Sequence, residues 1–231
     1  FNNASEGTKV LYHGSLVGLV PGGPGHSHQS VRDIALMGSV PGMAAIEPYC
    51  EDEVHRAVEW AVCAAVGPVY LRLVSPPWPL GFEPPAAELV EGRGTVLREG
   101  EQGTFVCTGP VLVSQAWAAC EQLDGWGLIA LPWLRAIDGA WLAAAAPRTI
   151  VCLDNHVLPG GQGEAVLSAF AASAPEAAAR TRLVGVDRVP ECGTNDEVLR
   201  AHGLDAASLV TAARQDPLQL RGSSHAGMSR P

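Results

Sequence analysis

Residues 21–29, Pro-Gly-Gly-Pro-Gly-His-Ser-His-Gln, form a glycine- and proline-rich segment with two histidines that is typical of a loop between a strand and a helix. Apolar, β-prone runs broken by glycine precede them at 10–20, and glycine and proline then enforce a tight loop. Ser27 is a candidate cap for a helix that begins two residues later. His26 and His28 would then lie where a strand ends and a helix begins, a place where α/β sheets bind ligands. A structural turn with exposed histidines explains the spacing equally well.

Several motifs follow in a characteristic order. They are Gly-His-Ser-His-Gln at 25–29, Asp-Ile-Ala-Leu-Met at 33–37, Val-Pro-Gly-Met at 40–43, Glu-Pro at 47–48 and Pro-Val-Tyr-Leu-Arg-Leu at 68–73. Together they resemble the second half of the pyrimidine-binding domain of the thiamine-diphosphate-dependent transketolase family. The similarity continues to about residue 213 through that family's C-terminal domain. There, residues 134–138 match a family turn, and 154–163 match its Glu-Glu-His and glycine-rich segment, with both acids altered.

The composition excludes several classes of protein. Of the 231 residues, 47% are hydrophobic and 17% charged, and the net charge is −9. A negative chain does not favour nucleic acid, and no apolar run approaches the roughly 20 residues that span a membrane. The start does not resemble a signal peptide. The six cysteines form no Cys-x-x-Cys pair, which predicts mostly buried thiols in a reducing, cytoplasmic compartment.

Alternating strand and helix patterns predict an α/β fold with two mainly parallel sheets, helices on both faces and a Pro-rich linker. The expected divisions are a partial pyrimidine-binding domain at 1–75, the linker at 76–94, a transketolase-like C-terminal domain at 95–216 and a flexible tail at 217–231. Trp78 and Phe82 are expected to pin the linker to a surface.

Two helices carry more specific expectations. Acidic residues at 51–53 should begin a helix whose apolar face is Val54, Val58 and Val62, with His55 as a solvated surface residue. Residues 160–163 open another helix, and close helix–strand packing explains this glycine loop better than phosphate binding does.

The resemblance implies thiamine diphosphate and Mg²⁺ as cofactors. The family's activating glutamate and aromatic pocket belong to the preceding half of its pyrimidine-binding domain, and its Gly-Asp-Gly motif does not occur in this sequence. No metal ligand or cofactor-binding residue is therefore assigned here. We expect both cofactors to be held mainly by an N-terminal transketolase-like subunit or a missing upstream segment, in a dimer of heterodimers.

The loop supplies four candidate site residues. His28 matches the family histidine that contacts the donor's hydroxyl groups beside the thiazolium, and we expect it to be catalytic. His26 stands where the family has proline or alanine, and it is a second catalytic candidate, with a role in acceptor recognition. Gly25 and Ser27 are substrate-binding candidates.

Two further substrate-binding candidates mark the place of the family's phosphate clamp. Counting without gaps puts the clamp's histidine at Leu16 and its arginine at Ser75. Arg72 is retained, but its odd spacing from Ser75 should place it on the other sheet face. Leucine cannot pair with a phosphate, so we expect a small-molecule acceptor that is unphosphorylated, or one bound to a carrier protein.

Three functions remain open. The favoured one is the C-terminal subunit of a split transketolase-like transferase that moves a two-carbon ketol unit and is active only with a partner chain. The others are a subunit similar to the β chain of 2-oxoacid dehydrogenases, which feeds an acyl group to a carrier arm, and a non-catalytic assembly subunit. The sequence after His28 is closer to transketolases than to dehydrogenase β chains, and paired imidazoles favour an enzyme.

Overall fold

A three-stranded parallel sheet forms the first part of the chain. The structure, a computed structural model, describes residues 1–86 and 88–215. The strands are β1 (Leu11–Gly14), β2 (Ala44–Ile46) and β3 (Val69–Arg72), and the helices are α1 (Asn2–Ser5), α2 (Asp33–Gly38) and α3 (Glu51–Cys63). The strand order is β1-β3-β2, and the central strand β3 is buried along its whole length.

A five-stranded sheet forms the second part. Its strands are β4 (Thr95–Arg98), β5 (Gly103–Cys107), β6 (Trp126–Ala130), β7 (Thr149–Val157) and β8 (Thr181–Val186). Its helices are α4 (Gly109–Cys120), α5 (Gly139–Ala145), α6 (Gln162–Ser173), α7 (Pro175–Ala179), α8 (Asn195–Ala201) and α9 (Ala206–Arg214). The order is β4-β6-β5-β7-β8, and only the edge strand β4 is antiparallel to its neighbour. The predicted α/β class with two mainly parallel sheets is confirmed.

Both faces of the second sheet are covered. Phe105 and Cys107 of β5 enter one apolar core, whereas Val106 between them enters another. This alternation is what a strand buried on both faces requires. Among the described residues, no helix is long and apolar enough to cross a membrane.

The proline-rich segment is held against the second sheet's helices. Trp78 Nε1 donates a hydrogen bond to Ser114 Oγ at 2.7 Å, and the ring of Phe82 stacks on Trp117 at a centroid distance of 4.2 Å. Both partners belong to α4, so the two aromatic residues fix the linker as expected. The tail predicted at 217–231 lies outside the described residues.

The helix expected to begin near Gln29 begins at Asp33 instead, and Ser27 caps no helix. The Ser27 hydroxyl donates locally to Pro24 O at 3.3 Å, within a 3₁₀ turn over Gly25–Ser27. Serine competes for backbone groups in this way wherever a turn offers a nearer acceptor than a helix does.

The predicted buried face of α3 is also wrong. Ala57 and Ala61 are buried together with Glu53, whereas Val58 and Val62 are 37% and 61% exposed. The cost of burying the Glu53 carboxylate is offset by the hydrogen bond that it accepts from Tyr49 N at 2.9 Å, which closes the first turn of the helix. Alanine allows the closer approach of a helix to its neighbours.

All six cysteines are free, and the expectation that most are buried holds for only half of them. The buried ones are Cys107, Cys120 and Cys152. Cys63 and Cys192 are exposed.

Candidate active site

The histidine loop depends on the backbone of Gly25. Its φ is 73°, in the left-handed region, and its carbonyl accepts hydrogen bonds from His28 N at 2.9 Å and Gln29 N at 3.1 Å. A β-carbon at this position would collide with Cys192 Sγ. Glycine is therefore required both by conformation and by the close approach of a later segment.

Contacts from the second domain hold this loop in place. The Gln29 side-chain amide donates to Leu19 O and to Glu191 O, each at 3.0 Å. Asn155 Oδ1 accepts from Leu19 N at 2.8 Å. Gln29 and Glu191 are 162 residues apart in the sequence, and Leu19 and Asn155 are 136 apart. No local motif could therefore have identified either pair.

His26 and His28 are both exposed. His28 Nδ1 lies 3.0 Å from Ser27 Oγ. When the Ser27 hydroxyl donates to Pro24 O, it accepts from the Nδ1–H of His28, which leaves the Nε2 lone pair of His28 free. In that arrangement His28 presents a proton acceptor to solvent, and Ser27 orients the imidazole.

A cleft of 760 Å³ opens beside the loop. Of the predicted site residues, His26 lines it, and the other walls include Val31, Val157 at the end of β7, and Val186 and Val189 at and beyond the end of β8. The cleft therefore lies at the carboxyl ends of two parallel strands, where α/β sheets bind ligands.

Leu16 and Ser75 lie side by side, and neither of them lines this cleft. Leu16 forms an isolated bridge with Val74, and Ser75 donates from both its backbone N–H and its hydroxyl to Ser15 O. Ser75 lines a second cleft, of 440 Å³, beside the linker. The structure brings the two residues together, and it places neither of them with His26.

A fully buried arginine ties the first sheet to the loop. Arg72 is 0% exposed; its Nε donates to Asp33 Oδ2 at 2.7 Å and its Nη1 to Glu47 Oε2 at 2.6 Å. Its Nη2 also donates to the backbone oxygens of Asn155 at 3.0 Å and Ser30 at 3.4 Å. Arg72 thereby joins β3, the start of α2 just after the loop, and β7.

The two carboxylates of this cluster titrate differently. Burial alone would raise the pKa of Asp33, but the Arg72 charge and hydrogen bonds from Arg72 and Tyr70 hold it below its usual value. For Glu47, burial dominates and raises the pKa in spite of Arg72. Burial alone would lower the pKa of the Arg72 guanidinium, but the charges and hydrogen bonds of Glu47 and Asp33 raise it, so the arginine stays charged.

The segment expected to match the family's Glu-Glu-His is structural. The Asp154 carboxylate accepts from Gln162 N at 2.8 Å and Gly163 N at 2.9 Å, and so occupies the amino end of α6. Burial raises the pKa of this carboxyl to about 6. His156 accepts from Ala35 N at 3.3 Å. A β-carbon at Gly161 would lie 2.8 Å from Asp154 Oδ2, so the glycine loop packs closely, as predicted, and this helix end is already filled.

Family models for two consecutive domains match the chain. The transketolase pyrimidine-binding domain matches residues 2–75, and the transketolase C-terminal domain matches residues 92–209. The chain belongs to the transketolase family.

Relatives within the transketolase family include a protein named as a separate subunit. The chain is 30% identical over 208 residues to the transketolase family protein y4mN of Sinorhizobium fredii, covering 87% of this chain and 59% of the relative. It is 31% identical over 219 residues to the 6-deoxy-6-sulfo-D-fructose transketolase subunit SqwH of a Clostridium species, covering 92% of this chain and 66% of that relative. A split-gene transketolase solved as an inactive β4 tetramer superposes with a TM-score of 0.78 at 28% identity, covering 91% of this chain and 67% of that one. The chain thus spans about three fifths to two thirds of the length of these two curated relatives.

Transketolase-family proteins depend on thiamine diphosphate. The described residues contain no group of three or more His, Cys, Asp or Glu side chains that could hold a metal ion. The amino end of α6, which could otherwise receive a phosphate, is filled by Asp154. These residues therefore do not fit the metal and diphosphate part of the cofactor.

Proposed function

We propose that this chain is the C-terminal subunit of a split transketolase-like enzyme that transfers a two-carbon ketol unit, and that it acts with a partner subunit. The similarity to a protein named as a transketolase subunit supports this reading, as does the structural likeness to a split-gene transketolase. A subunit similar to a dehydrogenase β chain and a non-catalytic assembly subunit are the two alternatives; the relatives' transketolase names and the exposed histidine pair favour the transferase.

The observation that carries the proposal is the oriented, exposed imidazole of His28. Its Nδ1 is engaged by Ser27 Oγ, and its Nε2 faces solvent on a loop fixed by Gly25. A residue so placed can accept and return protons at substrate hydroxyl groups. His26 lies two residues away and lines the adjoining cleft, which suits a role toward the acceptor.

We propose further that the partner subunit holds the diphosphate and Mg²⁺, and that the assembly is a cytoplasmic dimer of heterodimers. The similarity to a protein named as a transketolase subunit and to a split-gene transketolase supports this division of labour, and the described residues, which hold no metal-ligand cluster, are consistent with it. In this arrangement the chain contributes substrate-contacting side chains, while the partner contributes the cofactor's anchoring groups.

The acceptor in this proposal is unphosphorylated or bound to a carrier protein. Leu16 and Ser75 occupy adjoining positions and carry no charge, and Arg72, three residues before Ser75, is buried and bonded to two carboxylates. A relative named for a sulfonated sugar is consistent with subunits of this kind that act on substrates other than sugar phosphates.

The test is His28→Ala in the reconstituted complex with its cofactors, with transfer measured at steady state. Loss of a general acid–base group lowers kcat by about 10²–10⁴-fold. We expect that loss with nearly unchanged thiamine diphosphate affinity. His55→Ala, on the exposed face of α3, is the matched control and should have no effect. A His28→Ala turnover within about threefold of wild type would remove His28 from the mechanism.

A further inference from the structure

The cleft beside His26 is built for an apolar ligand. Val31, Val157, Leu158, Val186 and Val189 form its walls, and its 760 Å³ is far more than a small sugar needs. A polyhydroxylated acceptor would give up hydrogen bonds to water on these walls without gaining partners. An acceptor with a hydrocarbon body would instead gain from leaving water.

Most polar groups at the cleft are already committed. The Gln29 amide donates to Leu19 O and Glu191 O. Arg188 is paired with Asp187 at 3.4 Å, lies 3.8 Å from Glu191, and donates to Ala201 O. The Gln29 amide therefore has no N–H left for a ligand, and the charge of Arg188 is already compensated by two carboxylates.

Arg32 is different. It is exposed at the cleft, directly before α2, and no ion pair or side-chain hydrogen bond ties its guanidinium to another residue within 1–86 or 88–215. An arginine without a carboxylate partner is well suited to bind an anionic group in a two-pronged, charge-assisted contact. The cleft thus combines apolar walls, one uncompensated cation and, through His26, the loop that also carries His28.

We propose that this cleft is the acceptor site, an inference that rests on the proposed function. The acceptor is an aldehyde with a largely apolar body and a carboxylate that pairs with Arg32. The carbonyl group would lie toward His26. In the transfer a carbon–carbon bond forms at the aldehyde carbon, the carbonyl π electrons move to its oxygen, and that oxygen takes a proton to become a hydroxyl. The bond that breaks is the one that joined the two-carbon unit to the rest of the donor, which leaves as an aldehyde, or as carbon dioxide when the donor is hydroxypyruvate, so the exchange is redox-neutral.

The first arm of the test measures transfer by the reconstituted complex, with hydroxypyruvate as donor and 6-oxohexanoate, hexanal or D-erythrose as acceptor. We expect kcat/KM to be highest for 6-oxohexanoate and lowest for erythrose. Arg32→Gln should lower kcat/KM for 6-oxohexanoate about tenfold and leave hexanal nearly unchanged. Arg148→Gln removes the same charge just before the amino end of β7, at the opposite end of the strand from the cleft, and should change neither.

A second variant probes the apolar wall. Val189 is 75% exposed, so Val189→Asp should fold normally and place a negative charge at the cleft. We expect it to weaken both hexanal and 6-oxohexanoate and to spare erythrose.

The second arm measures binding of the unreactive probe hexanoate by NMR, to the chain alone and to the complex. We expect binding in both, weakened about tenfold by Arg32→Gln. Preference for erythrose, equal loss for both aldehydes in Arg32→Gln, or hexanoate binding that disappears when the partner covers the cleft would overturn the inference while leaving two-carbon transfer intact. If the complex transfers to no aldehyde, the proposed function fails and the acceptor assignment with it, whatever hexanoate does.

Discussion

Replacing Arg72 with methionine should destabilise the chain severely. Arg72 donates to two carboxylates, Asp33 and Glu47, at 2.7 and 2.6 Å, inside a cluster from which solvent is excluded. Methionine fills a similar volume but leaves both carboxylates buried without a counter-charge. Breaking a buried ion pair from one side costs about 3–5 kcal/mol, which is a large share of the stability of an ordinary domain.

The assay is urea unfolding followed by tryptophan fluorescence and circular dichroism. The matched control is Arg93→Met, because Arg93 pairs with Asp138 at a similar distance, 2.9 Å, with the two side chains 48% and 31% exposed. An exposed pair contributes less than about 1 kcal/mol, so this variant should unfold almost like wild type.

The pH dependence provides a second check on Arg72→Met. Without the guanidinium, burial should raise the pKa of both carboxyls above their values in the unfolded chain. The free energy of unfolding of the variant should therefore fall as the pH rises and the two buried carboxyls ionise. The deficit should therefore be smaller at pH 5 than at pH 7. A loss at pH 7 below about 1 kcal/mol, or one equal to that of Arg93→Met, would refute the assignment of this cluster as the anchor of the loop.

Two smaller predictions follow from the same contacts. Burial raises the pKa of Glu53 from 4.5 to about 7, so its contribution to the free energy of unfolding is full below pH 4.5 and is lost as the pH rises through 7. Glu53→Gln keeps the acceptor for the helix start and should remove this pH-dependent loss, about 3 kcal/mol in total across the range, from urea titrations, whereas Glu51→Gln should leave it in place. Gly25→Ala should lower the free energy of unfolding by at least about 1–2 kcal/mol because of its left-handed φ. Adding Cys192→Ala to this variant should recover only the part of the loss that is due to the collision with Cys192 Sγ. Gly23→Ala, with open space around the position, should be nearly neutral. Equal losses at the two glycines would contradict this reading.

Local patterns in the sequence predicted what local forces determine. The helix start at the acidic residues 51–53 forms as expected, and the helix that follows Thr194 is likewise determined by its own residues. In the last case Thr194 accepts from Glu197 N while the Glu197 carboxylate accepts from Thr194 N, a reciprocal cap that needs no help from the rest of the fold.

Two shortfalls involve contacts between segments that are distant in the sequence. Valine spacing in α3 predicted the wrong face because the buried positions are set by what packs against the helix, and there Ala57, Ala61 and a capping Glu53 fit best. The clamp on the histidine loop required Asn155 and Glu191 from the second domain. A one-dimensional pattern carries no signal for such pairs, so the loop residues could be named from the sequence but not the residues that fix them.

The most direct test of the central claim is native mass spectrometry of the chain alone and of its complex, each with and without thiamine diphosphate and Mg²⁺. The split-subunit account predicts that the chain alone takes up no cofactor, and that the complex is a dimer of heterodimers carrying thiamine diphosphate and Mg²⁺ at each subunit interface. A chain that binds thiamine diphosphate by itself at micromolar concentration would contradict the account.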